Sequence, residues 1–169
     1  MKNSQNSIGT RRRRRLTNRQ LKKRCLGPWR TIGIDLAFDL IEPIDASDYT
    51  ASGSNTDYTA HDHLIDWLVD LTERHGSHVT FGVSNLDPVV QTHELVWLGR
   101  GYGLPMIGRL LDCLQTLSDH QKVGEVRWRF VDLSIDDEED CFMTPQQTLR
   151  AGMLDKAFWL KRAECWFAI

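Results

Sequence analysis

The segment from Arg30 to Ile41 alternates large apolar residues with small or acidic ones. Its apolar positions are Ile32, Ile34, Leu36, Phe38 and Leu40. Because successive side chains of a β-strand point to opposite faces, this pattern predicts a strand with one buried face and one solvated face. Such strands are typical of antiparallel sheets, since parallel sheets are usually covered on both faces. The alternation therefore predicts a fold built on an antiparallel sheet.

Two segments have the residue spacing of amphipathic helices. The first begins at Thr59, which can cap it, and ends near His75, while the second begins at Pro105. In each segment the apolar residues recur at intervals of three and four, so they form one stripe that faces the core. The stripe residues are Leu64, Trp67, Leu68 and Leu71 in the first helix, and Ile107, Leu110, Leu111, Leu114 and Leu117 in the second.

A third helix is predicted near the end of the chain. Thr144, Pro145 and Gln147 fit a capping box, with Thr as the N-cap, Pro at the first helical position and Gln at the third. We expect the helix to run from there to about Cys165. Its inward residues are expected to be Leu149, Met153, Ala157 and Leu160.

Three more segments, near residues 77–84, 89–98 and 125–135, are rich in apolar residues and predict further strands. The elements then follow one another in the order β, α, β, β, α, β, α. This order predicts an α+β fold in which about three helices pack on one face of a four-stranded, mostly antiparallel sheet. We expect residues 29–169 to form this fold as a single domain.

Charges of opposite sign are separated along the chain. Residues 1–30 contain 11 of the 21 Lys and Arg residues and no Asp or Glu. The rest of the chain therefore has 10 basic residues against all 23 acidic ones, a balance of −13. A segment with this many like charges cannot bury a core and repels itself. The sequence thus predicts a flexible basic arm, residues 1–28, beside an acidic domain.

The arm is the strongest candidate for a binding segment. Its cationic side chains can neutralise the phosphates of a nucleic acid or another polyanion and release counterions. Two basic clusters with a short spacer also match a bipartite nuclear-import signal. Alternatively, the arm can bind an anionic membrane surface or fold back onto the acidic domain. The candidate residues are Arg11, Arg12, Arg13, Arg14, Arg15, Arg19, Lys22, Lys23 and Arg24.

The acidic domain is suited to a different partner. A strongly negative domain repels nucleic acid and attracts a basic protein. The candidate surfaces are the Glu42–Asp57 loop and an acidic run, with two tryptophans near the domain's ends as interface anchors. The residues of the run and the anchors are Asp136, Asp137, Glu138, Glu139, Asp140, Trp29 and Trp166. One form of this hypothesis is an inhibitor or immunity-type protein that acts only through its acidic surface.

Two pairs of carboxylates suggest an alternative hypothesis, that the chain is a metal-dependent enzyme. Asp35 and Asp39 are four residues apart on one predicted strand, and Asp132 and Asp136 have the same spacing on another. Residues at this spacing in a strand point the same way. If the two strands were neighbours, the four carboxylates would be able to hold divalent cations for phosphodiester chemistry.

Other features exclude several classes of protein. No apolar run approaches the roughly 18 residues of a membrane-spanning helix, and residues 1–30 lack the apolar stretch of a signal peptide. The four cysteines have no C-x-x-C spacing, and the six histidines form no metal-ligand pattern. We therefore expect an intracellular protein, cytoplasmic or nuclear, without a cofactor or metal. The sequence favours a non-enzymatic interaction protein, of the kind found among viral or mobile-element accessory factors.

Overall fold

A computed structural model describes residues 32–50, 57–75, 79–87, 92–99, 103–132, 134 and 142–167. The predicted basic arm, Trp29 and the acidic run of residues 136–140 lie outside the described residues. In the part of the chain that the structure describes, no helix combines the length and apolar character needed to cross a membrane.

Five strands and three helices are present in the described ranges. The first helix ends at His75 as predicted, and the second begins two residues before the predicted start at Pro105. In chain order the elements are β1 (Ile32–Leu40), α1 (Ala60–His75), β2 (Val79–Asp87), β3 (Thr92–Gly99), α2 (Gly103–Asp119), β4 (Val123–Asp132), β5 (Gln147–Leu149) and α3 (Lys156–Phe167).

The strands form one sheet in the order β2-β3-β1-β4-β5, and every neighbouring pair is antiparallel. The prediction of an α+β fold with three helices and an antiparallel sheet is confirmed. The predicted count of four strands is wrong, because the sheet in the described residues has five. The short strand β5 comes from a segment in which the sequence pattern predicted a helix.

The core lies on one face of β1 and its neighbour β4. Ile34 is paired in register with Phe130, and Leu36 is paired with Trp128. These side chains are almost completely buried and belong to a single hydrophobic cluster with residues of all three helices. Each fully buried side chain of this size stabilises the fold by about 1.5–3 kcal/mol. The register of β1 on β4 therefore determines where the helices pack.

The third helix begins later than predicted. The Thr144 hydroxyl accepts a hydrogen bond from the backbone N–H of Phe130 at 3.0 Å, which attaches this segment to β4 as an extended chain instead of starting a helix. The chain continues into β5, turns at Gly152, where φ is +72°, and enters α3 after Asp155. The Asp155 carboxylate accepts the N–H of Phe158 at 2.8 Å and acts as the actual N-cap.

Because of this shift, the predicted inward stripe of the third helix is confirmed for Leu160, which packs against the core, and is wrong for the other three residues. Met153 precedes α3 and is 71% exposed, and Ala157 is also exposed. Leu149 is buried as part of β5 rather than of a helix. The buried residues of α3 are instead Ala163 and Trp166.

The prediction that Trp166 anchors an interface is also wrong, because the residue is only 4% exposed. Its ring packs edge-on against Phe130, with the ring centroids 5.3 Å apart. Trp159 of the same helix makes similar edge contacts with Trp128 and Phe130. Aromatic pairs in this geometry stabilise beyond their buried area. Trp166 therefore attaches α3 to the sheet.

We expect Trp166→Ala to lower the free energy of unfolding by about 3–5 kcal/mol, since it removes a buried aromatic side chain and leaves a cavity. Phe158→Ala, on the same helix but at a residue that is 52% exposed, is the control and should cost less than about 1 kcal/mol. Urea unfolding followed by tryptophan fluorescence and circular dichroism measures both. Equal, small losses in the two variants would contradict the packing of Trp166 against Phe130.

Candidate functional site

Helix α1 has two opposite faces of different chemistry. Its buried residues Leu64, Trp67, Leu68 and Leu71 confirm the apolar stripe predicted from the sequence. Its acidic residues follow one another at intervals of four, four and three, which places them together on the outward face. These residues are Asp62, Asp66, Asp70 and Glu73.

The start of α1 is determined by reciprocal hydrogen bonds between Thr59 and Asp62. The Thr59 hydroxyl accepts the N–H of Asp62 at 3.3 Å, and the Asp62 carboxylate accepts the N–H of Thr59 at 2.9 Å. Together they form a capping box. The hydrogen bonds from the Thr59 hydroxyl and N–H lower the pKa of Asp62. A negative charge in the first turn also interacts favourably with the helix dipole.

A loop of residues 41–50 leads from β1 towards α1 and carries three further carboxylates, Glu42, Asp45 and Asp48. Its only fully buried apolar residue is Ile44, which belongs to the core cluster. The Lys122 ammonium group donates to Asp45 at 2.9 Å and to Asp48 at 2.7 Å. The two aspartates raise the pKa of Lys122. Hydrogen bonds from Ser47, and then from Lys122, lower the pKa of Asp45.

Tyr49 joins this loop to α1, and Tyr58, just before α1, packs on the same histidine. The Tyr49 hydroxyl lies 2.8 Å from Nδ1 of His63, and the Tyr58 ring lies 5.3 Å from the His63 ring. Burial raises the pKa of Tyr49, and so do the negative charges of nearby aspartates, first that of Asp66. A hydrogen bond to Asp66 likewise raises the pKa of Tyr58. Aspartates of both the loop and the helix thus act electrostatically on the Tyr49 hydroxyl.

We call the loop of residues 41–50, residues 57–59 and the outward face of α1 the acidic surface. Residues 41–75 contain eight Asp and Glu residues but a single basic one, Arg74. Lys122 supplies a second cation from outside this range. The carboxylates are Glu42, Asp45, Asp48, Asp57, Asp62, Asp66, Asp70 and Glu73.

Several of these carboxylates have structural roles as well. Asp70 pairs with Arg74 at 2.6 Å, and Asp48 is almost buried beneath Lys122. The excess of eight carboxylates over two cations nevertheless leaves a negative field over this side of the domain. The sequence predicted the Glu42–Asp57 loop as a candidate and missed α1, although the spacing of its acidic residues was a readable signal.

The carboxylates of β1 lie on the opposite side of the sheet from the helices. Asp35 accepts a hydrogen bond from Nε of Arg129 at 2.6 Å, and Asp39 accepts one from Arg127 at 3.2 Å. The Arg129 guanidinium also lies 3.1 Å from the ring centroid of Phe142, a cation–π contact. Asp35 and Asp39 share a face as predicted, but that face is lined by arginines of the adjacent strand.

The four predicted carboxylates do not converge within the described residues. Strands β1 and β4 are neighbours, as the enzyme hypothesis required. Asp132, however, is paired in register with the buried Ile32 and is itself buried, so it lies on the other face from Asp35. Its carboxylate accepts hydrogen bonds from the N–H and hydroxyl of Ser134. Asp136 lies outside the described residues.

No three His, Cys, Asp or Glu side chains are placed to hold a metal ion in the part of the chain that is described. Comparisons of the chain with protein-family models, with curated proteins and with solved structures returned no match.

We expect Thr59→Ala to lower the free energy of unfolding by about 1 kcal/mol, because the first turn of α1 loses its cap. Thr59→Ser keeps the hydroxyl and should be nearly neutral. Thermal unfolding followed by circular dichroism compares the two variants. If both variants were equally destabilised, the methyl group of Thr59 rather than the capping bond would be responsible.

Proposed function

We propose that this chain is a non-enzymatic interaction protein with two charged binding regions. Its basic arm contacts a polyanion, with nucleic acid as the first candidate, and its acidic domain binds a basic protein partner. The observation that carries the proposal is the separation of charge, 11 basic and no acidic residues in residues 1–30 against a balance of −13 in the rest. One surface cannot attract two partners of opposite charge, whereas two segments of opposite charge can.

The composition of the arm supports a polyanion as its partner. Arg11 to Arg15 are consecutive, and Lys22, Lys23 and Arg24 form a second cluster nearby. Arginine holds phosphate through two parallel N–H donors, so a run of arginines binds phosphates closely. Binding of this kind depends on charge more than on base sequence, and it weakens steeply with salt.

The acidic surface supports a basic protein as the partner of the domain. Its carboxylates surround two side chains with exposed apolar area, Tyr58 at 40% and Val69 at 38%. The Tyr58 ring lies beside Asp66, with which it shares a hydrogen bond. A partner's arginine placed there would pair with a carboxylate and stack on an aromatic ring at the same time. Carboxylates next to an aromatic ring favour arginine over lysine.

Replacing Arg11, Arg12, Arg13, Arg14 and Arg15 with Gln in the full chain should weaken binding to a mixed-sequence DNA duplex. The slope of log affinity against log salt should fall by up to about 4 to 5, because each phosphate contact contributes about 0.9. Fluorescence anisotropy between low and physiological salt measures the slope. A five-lysine variant keeps the charge and is the control.

An unchanged slope in the five-glutamine variant would contradict the arm as the polyanion contact. Vesicles containing phosphatidylserine provide the second arm of the experiment. Binding of the wild-type chain to these vesicles but not to DNA would assign the arm to an anionic membrane instead.

The acidic surface can be tested with Asp66→Asn, Asp70→Asn and Glu73→Gln together, which leaves the capping box and the Lys122 bridge in place. We expect binding of a fluorescent nona-arginine peptide to weaken roughly tenfold, since each exposed ion pair is worth up to about 1 kcal/mol. The matched control removes the same three charges at Glu138, Glu139 and Asp140. Equal losses of affinity in the two variants would show that only net charge matters. A loss of affinity confined to the control would indicate that the acidic run is the binding site.

A further inference from the structure

A single imidazole connects three elements beside the 41–50 loop. His120 follows the last residue of α2, and its ring packs on Trp67 of α1 with the ring centroids 4.8 Å apart. Nε2 of the same ring lies 3.6 Å from the Asp48 carboxylate of the loop. His120 therefore contacts α1, the loop and the turn that leads from α2 into β4.

The hydrogen bond that the ring accepts from Lys122 requires the neutral form of the ring. Nδ1 of His120 accepts the backbone N–H of Lys122 at 3.3 Å. A nitrogen that accepts a hydrogen bond carries no proton, so the proton of the neutral ring is on Nε2, the atom that faces Asp48. A second proton on the ring would have to go onto Nδ1.

Lys122 connects this turn to the 41–50 loop through hydrogen bonds. Its carbonyl oxygen accepts the N–H of Ile41 at 2.8 Å, and its ammonium group donates to Asp45 and Asp48. The beginning and the middle of the loop are thus both attached to the residue whose own N–H is held by His120. Displacement of Lys122 would release both attachments.

We propose that His120 is a proton-operated latch, which holds the 41–50 loop on the turn between α2 and β4 while neutral and releases it when protonated. In the protonated ring Nδ1–H points at the N–H of Lys122, so two donors face each other and the hydrogen bond from Lys122 to the ring is lost. The new positive charge also repels the Lys122 ammonium, which holds Asp45 and Asp48, although the attraction of the ring to Asp48 opposes this effect. This latch does not depend on the proposed function of the acidic surface.

The surroundings of His120 favour the neutral ring when the loop is closed. Burial is the main cause that lowers the pKa of His120, and the positive charges of Lys122 and Arg74 lower it further, while Asp48 raises it. The open form regains an ordinary pKa of about 6.5. Between these two pKa values one proton is taken up on opening, so the opening equilibrium constant rises about tenfold for each unit that the pH falls.

Hydrogen exchange of the full chain, followed by NMR from pH 7.5 to pH 5, tests the latch. After correction for intrinsic exchange, the protection of the Ile41 amide, which donates to Lys122, and of the Lys122 amide, which donates to His120, should fall as the pH drops below about 6.5, by up to about tenfold per unit, and should level off below the lowered pKa of the closed form. The Phe130 amide, which is bonded to Thr144 inside the core, reports global unfolding and should keep its protection. In His120→Asn the side-chain oxygen can accept the Lys122 N–H without being protonated, so loop protection should not change with pH.

His75→Gln is the matched control. Burial also lowers the pKa of His75, whose Nε2 lies 2.8 Å from the Thr116 hydroxyl between α1 and α2. This variant should keep the wild-type pH profile of the loop. A loop whose protection is independent of pH in the wild-type chain, or a His120→Asn profile that parallels the wild type, would overturn the latch.

Ring nitrogen shifts of His120 in the wild-type chain give a second measurement that does not require a variant to fold. They should show a proton on Nε2 alone at pH 7.5, and the protonation of Nδ1 should coincide with the loss of loop protection. A proton on Nδ1 at neutral pH, or protonation without loss of protection, would contradict the proposal.

Discussion

All layers of the described domain meet at the antiparallel pairing of β1 with β4. One face of this pair supplies the buried rows in which Ile34 is opposite Phe130 and Leu36 is opposite Trp128. The other face pairs Asp35 with Arg129. A shift of one residue in the register would move apolar side chains into water and ionic ones into the core. The same pairing thus fixes the packing of α2 and α3 on one side and the charge pattern on the other.

Elements with a local periodic pattern were predictable from the sequence, because burial on one side repeats every second residue in β1 and every three or four in α1. The third helix was misplaced for a reason outside any local pattern. Thr144 is a residue type that often caps helices, but in the folded chain its hydroxyl accepts a hydrogen bond from the N–H of Phe130. Trp166 was misread for a similar reason, since its partner Phe130 is far away in the sequence.

In the candidate site, too, features set by local spacing were predictable, whereas contacts between residues distant in the sequence were not. The acidic face of α1 was readable from the spacing of its aspartates, and the Thr59 cap was predicted. The attachment of Asp48 to Lys122 spans 74 positions of the sequence, and no spacing rule connects them. The Asp35 and Asp39 pair was correctly placed on one strand face, yet the arginines of β4 that neutralise it come from a different segment. The roles of the arm and of its nine basic candidate residues stay predictions.

The position of β1 has a consequence for how the chain acquires its structure. This strand is the first element of the sheet to be synthesised, but it is the central strand, between β3 and β4. Its later neighbour ends only at Asp132. During translation β1 therefore has two open edges until β3 is complete at Gly99. One edge then stays open until β4 is complete, about a hundred residues after β1, at roughly 5–20 residues per second. Such non-local pairing is slow to form and leaves strand edges open to other chains. The nascent chain is consequently most vulnerable to aggregation before β4 emerges.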